Sequence, residues 1–164
     1  MTVTSVEKDT ESLTMTITAR FDAPTARVWQ VWEDPRQLER WWGPPTYPAT
    51  VVGHDLTPGG SVTYFMTGPE GDTQHGWWRV SAVEAPRYLE FVDGFADTDG
   101  NPDPDMPVMT IRVSLHEESD GTRMQITTIF PTAQAMEQLI AMGMDEGMAA
   151  AMGQLDGLLL TESV

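Results

Sequence analysis

The chain has 164 residues, 40% of them hydrophobic, which is enough for one domain to bury a sizeable core without disulfide or metal staples. Its 25 acidic residues against nine basic ones leave a formal charge of −16, and the lone Lys8 and the scattered arginines form no basic patch, so nucleic acid is excluded as a partner. With no cysteine there is no disulfide, no thiolate nucleophile and no Cys-ligated zinc or iron–sulfur centre.

The first seven residues lack the basic and apolar stretches of a leader, and no run approaches the ~18 apolar residues of a membrane span. The reading is a soluble cytoplasmic protein without membrane insertion. Leu13, Met15, Ile17, Ala19 and Phe21 alternate with polar residues, the period of a strand with one buried face. Val28, Trp29, Val31 and Trp32 follow at helical offsets, and Asp34-Pro35 stops that helix and starts a second short one through Leu38 and Trp41. Three prolines between Trp42 and Pro48 make the next segment a structured loop. From residue 49 to 130, Gly/Pro/Asp punctuation separates six strand-like runs, near 50–56, 61–67, 76–83, 87–94, 108–117 and 122–130, an antiparallel meander. After Pro131 an apolar stripe from Met136 to Leu159 predicts one long helix over 132–160, about 43 Å at 1.5 Å per residue. The whole chain, with its core at about 13–160, is expected to form a single α+β domain. In it a curved antiparallel sheet of six to seven strands wraps the C-terminal helix, and two short helices follow the first strand.

This order of elements resembles the helix-grip fold of the START/Bet v 1-like superfamily, a resemblance that implies a cavity between sheet and helix. The segments Phe21-Asp22-Ala23-Pro24-Thr25-Ala26-Arg27-Val28-Trp29, Leu38-Glu39-Arg40-Trp41-Trp42-Gly43-Pro44, Asp55-Leu56-Thr57-Pro58-Gly59-Gly60 and Phe65-Met66-Thr67-Gly68-Pro69-Glu70-Gly71 occur in that order. With Ala82-Val83-Glu84-Ala85-Pro86-Arg87-Tyr88-Leu89-Glu90-Phe91, they resemble the Hsp90-ATPase-activator homologue (AHSA1-like) family within the SRPBCC superfamily. The resemblance implies a fold more than a reaction, since the family has no single reaction.

Period-two alternation aims Tyr64 and Met66, Trp78, Val80 and Ala82, Phe91 and Phe95, and Met109 at the long helix. Asp93 shares the parity of Leu89 and Phe91. Either the strand ends at Val92 and Asp93-Gly94 is a solvated turn, the preferred reading for so strong a turn pair, or the strand continues and Asp93 points inward as a polar anchor. His54 shares the parity of Val52 and Leu56 but reads best as a half-exposed edge-strand histidine, and no histidine pair has metal-binding helical spacing. The acidic loop from Asp97 to Asp105 lacks the spacing of a calcium-binding loop and reads as a solvated surface. There is no nucleophile elbow or phosphate-cradling loop. Gly143 and Gly147 stand four apart inside the expected helix, where each costs about 1 kcal/mol against Ala; either the sheet approaches closely there or a ligand does.

The favoured function is binding of a small apolar or aromatic molecule between sheet and helix. Trp42 and Tyr64 would stand near the mouth, Trp78, Phe91, Met109, Met144 and the face of Gly143 and Gly147 would form walls, and Asp93 with the Tyr64 hydroxyl would give polar specificity. No catalytic residue, metal or cofactor is assigned, and a homodimer is left open. One alternative is a cyclase- or hydrolase-like enzyme drawing on Asp93, His54 and Tyr64 in the same cavity. The other, implied by the family resemblance, is a module that interacts with an Hsp90-type chaperone.

Overall fold

The computed structural model describes residues 3–160. Strands β1 (Val3–Asp9) and β2 (Thr14–Phe21) lead into helices α1 (Thr25–Glu33) and α2 (Pro35–Leu38). Six further strands follow: β3 (Ala49–His54), β4 (Ser61–Thr67), β5 (Thr73–Glu84), β6 (Tyr88–Ala96), β7 (Met109–Glu118) and β8 (Gly121–Ile129). Helices α3 (Ala133–Ala141), α4 (Met144–Gly153) and α5 (Leu155–Leu160) complete the described chain. The eight strands form one antiparallel sheet in the order β1-β2-β8-β7-β6-β5-β4-β3.

Among the described residues the sheet therefore has eight strands, against the six to seven expected. The extra strand is β1, whose residues are mostly polar and exposed because it pairs only with β2 at the sheet's edge, so it leaves little hydrophobic alternation to read. The long C-terminal helix is also corrected. It is broken into three segments, and Gly143 is not a helix-interior residue: its φ of +88° lies in the left-handed region and it caps the start of α4. Thr132 caps α3 by accepting a hydrogen bond from the Ala135 amide at 3.0 Å.

Two β-bulges change which side chains face inward. The irregularity between Val80 and Ala82 shifts the register, so Val83 pairs opposite Leu89 and packs on the core where Ala82 was expected to. The one between Val51 and Gly53 leaves Val52 70% exposed, so it does not share a face with His54, whose partner is the fully buried Val62.

The core is continuous between sheet and helices. α1 buries Val28, Trp29, Val31 and Trp32 on one face, the helical spacing seen in the sequence. Trp32 meets Trp41 edge to face at 4.8 Å, and the Trp41 indole donates to the Val31 carbonyl at 2.9 Å, tying the end of α2 to α1. Asp34 accepts from the Arg36 amide at 2.9 Å and Pro35 opens α2, so the short second helix has both start signals. This packing brings Trp42 and Pro44 over the sheet beside α4, where the interior is not filled.

Candidate functional site

A cavity of about 230 Å³ lies between the inner faces of β4, β6 and β7, the loop after α2, and the junction of α3 with α4. Strand alternation supplies Tyr64 and Met66 from β4, Asp93 and Phe95 from β6, and Met109 from β7. The helices supply Leu139, Met142, Gly143, Met144, Gly147 and Met148, with the 60% exposed Met142 at the rim.

Asp93 is the polar centre of this site. Strand β6 does not end at Val92 but continues to Ala96, so the Asp-Gly turn reading is overturned and the carboxyl points inward, only 8% exposed. The neighbouring strand explains why Asp-Gly is not a turn. Trp77 of β5 pairs with Gly94, its ring fills the space a side chain would need, and its indole donates to the Phe95 carbonyl at 3.0 Å. A second glycine places Tyr64. Gly76 is its cross-strand partner, and a Cβ there would collide with the Tyr64 ring and hydroxyl, so the ring leans over the bare backbone toward β6.

The Tyr64 hydroxyl donates to Asp93 Oδ1 at 3.1 Å. Burial raises the Asp93 carboxyl from 3.8 to about 7, and the Tyr64 hydrogen bond opposes this only in part. Tyr64 is itself held well above the usual phenol range, chiefly by burial and then by the Asp93 charge. The Trp42 and Trp78 indoles lean the other way, favouring the ionised phenol, although neither N–H reaches hydrogen-bond geometry with any partner. One neutral donor, the Tyr64 hydroxyl, thus reaches the carboxyl, the two indoles stand near that hydroxyl, and no described residue lining the cavity is a cation.

Of the nine residues expected to bind ligand, Trp42, Tyr64, Asp93, Met109, Gly143, Met144 and Gly147 line the cavity. Trp78 and Phe91 do not. Both are fully buried and stack on each other at 3.9 Å with ring planes 19° apart, forming the packed layer below it. A Cβ at Gly143 or Gly147 would meet nothing within 4 Å, so neither glycine is a close-contact seam. Gly143 instead serves the backbone turn that its φ of +88° requires. Sequence reasoning missed Pro44, Leu139, Met142 and Met148 as lining residues, and turned Met66 and Phe95 toward the helix without assigning them to the site. Met148 follows Met144 by one helical turn, a usable signal, whereas Met142 enters only because the helix breaks.

His54 does not join this site: its Nε2 lies 3.0 Å from the Trp32 carbonyl oxygen, half-buried on the edge strand β3. In the acidic loop, Asp97 accepts from the Asp99 and Asn101 amides at 2.9 and 3.0 Å. Among the described residues no group of three His, Asp or Glu side chains is placed to share a metal, and no helix is long and apolar enough to cross a membrane.

The chain resembles solved bacterial structures over nearly its full length. Protein Ms6760 from Mycobacterium smegmatis is 50% identical, with 99% of each chain covered and a TM-score of 0.90. A protein from Arthrobacter aurescens is also 50% identical, with 96% of this chain and 92% of that one covered and a TM-score of 0.93. An AHSA1 protein from Silicibacter pomeroyi, at 18% identity, shares the fold with a TM-score of 0.70 over 89% of this chain and 96% of its own. No curated protein matches the sequence. The family model described as activator of Hsp90 ATPase homolog 1-like protein matches residues 22–159, and the chain belongs to that family.

Proposed function

We propose that the protein binds a small apolar or aromatic molecule in the cavity between the sheet and the C-terminal helices. The observation that carries this reading is the pairing of Asp93 with Tyr64 at the wall of an otherwise apolar cavity. A packed core gains nothing from a buried carboxyl, whereas a ligand site needs a few convergent polar atoms on apolar walls. The size suits the reading: a dry cavity of roughly 150 Å³ holds benzene, so this one accommodates a body of one or two rings. Thioether side chains at Met66, Met109, Met144 and Met148 adapt their shape to the occupant.

The direct test is a thermal-shift and tryptophan-fluorescence screen of compact apolar and aromatic molecules, run on the wild type and on Gly147→Leu. Ligands should raise the wild-type melting temperature and quench or shift Trp42 emission, and the leucine should abolish both responses by filling the space. Ligands that act equally on both proteins would place binding elsewhere.

A second reading is supported by the same pair. A carboxyl that ionises near 7, within reach of a bound molecule, is suited to general acid–base chemistry, so an enzyme using Asp93 and Tyr64 is the alternative.

A further inference from the structure

This inference rests on the binding reading above and concerns what the cavity selects. Asp93 accepts one hydrogen bond from the protein, from the neutral Tyr64 hydroxyl, and the indole donors of Trp42 and Trp78 that gather near that hydroxyl are also neutral. No cation faces it. The other ionisable groups on the adjoining elements turn away or are engaged elsewhere. His75 and Arg79 of β5 and Arg112 of β7 alternate to the outer face of the sheet, where Arg112 pairs with Glu90 at 3.3 Å. On α4, Asp145 is held by Lys8 of β1 at 2.6 Å, and Glu146 is exposed. A carboxylate removed from water needs a counter-charge or several donors, and the protein supplies neither in full. The walls beside it, Trp42, Tyr64, Phe95 and thioether sulfurs, offer ring faces and soft, polarisable groups, surroundings that suit an organic cation better than an anion. The formal charge of −16 draws cations toward the mouth and repels anions.

We propose that the cavity selects a compact organic ammonium ion, an amine carried on one or two apolar rings, with its N–H donors on Asp93 and its rings between Phe95 and the methionine side chains. The ammonium supplies the counter-ion that the sheet does not, and the charge-assisted hydrogen bond orients the apolar body.

Three probes of like size and different charge test this: phenethylamine, phenethyl alcohol and phenylacetate, titrated calorimetrically into wild type, Asp93→Asn and Gly147→Leu. At about pH 8 the amine is protonated and Asp93 is ionised. On the wild type the amine should bind about tenfold or more tighter than the alcohol, and phenylacetate weakest. In Asp93→Asn the amine should lose that advantage while the alcohol still binds, and Gly147→Leu should bind none of them. Equal affinity for amine and alcohol on the wild type would overturn the ammonium proposal and leave the binding reading standing. So would an amine advantage that survives in Asp93→Asn, since it would then reflect only the protein's overall charge. If none of the three binds the wild type, the proposal falls together with the cavity reading.

Discussion

An aspartate side chain in water ionises near 3.8, and the sheet moves Asp93 to about 7 by burying it. That separation is on the order of 4 kcal/mol of cost to the folded state once the carboxyl is ionised. The sign follows from proton counting. Between the two values the native protein holds a proton that the unfolded chain has released, so this site's contribution is most favourable below 3.8 and is progressively lost as pH rises through about 7. Asp93→Asn should therefore be more stable than wild type at about pH 8, by roughly 2–4 kcal/mol, and nearly equal to it at about pH 4. Chemical denaturation of both proteins across that range measures the difference, which cancels the opposite trend of Asp9, Asp34 and Asp145, all lowered by hydrogen bonds. A constant difference at all pH values would mean that Asp93 titrates alike in the folded and unfolded states. A residue that costs stability at neutral pH breaks a rule of core construction, as residues at functional sites do.

Among the elements, those with strong hydrophobic periodicity were legible from the chain alone. The β2 alternation, the α1 stripe and the strand runs near 108–117 and 122–130 occupy the predicted positions because burial on one face leaves a regular pattern. Features whose causes lie in a neighbouring strand were hidden. The Asp93-Gly94 pair stays extended because the Trp77 ring lies across Gly94, Tyr64 leans inward because Gly76 opposite it is bare, and Val83 replaces Ala82 because of a bulge. The polar edge strand β1 and the helix break at Gly143 escaped for other reasons: the strand buries too little to leave an apolar alternation, and the break rests on a backbone angle. The two glycines near the cavity should accordingly respond in opposite ways. Gly143→Ala meets no neighbour but forces an L side chain into the left-handed region, and should lose about 1 kcal/mol or more. Gly147→Leu lies within α4, also in open space, and should keep the wild-type stability or gain up to about 1 kcal/mol from helix propensity and apolar burial. Melting curves without ligand decide this, and a clear drop for Gly147→Leu would show a packed seam where a void is described.

For the molecule as a whole, the site lies toward the end of the sheet where β4, β6 and β7 meet the α3–α4 break, while Trp29 and Trp32 of α1 and Trp41 just after α2 fill the interior beside it. The methionines map this division. Met66, Met109, Met144 and Met148 line the cavity, Met15 and Met124 are sealed in the core, and Met136 borders a separate groove with Leu13 and Ala133. Methyl-selective NMR of methionine-labelled protein during a titration with phenethyl alcohol therefore tests the cavity most directly. Binding there should shift the methyl signals of Met66, Met109, Met144 and Met148 in a saturable way, leave Met15 and Met124 in place, and vanish in Gly147→Leu. Saturable shifts confined to Met136, or no saturable shift at any methionine, would contradict a ligand site between the sheet and the C-terminal helices.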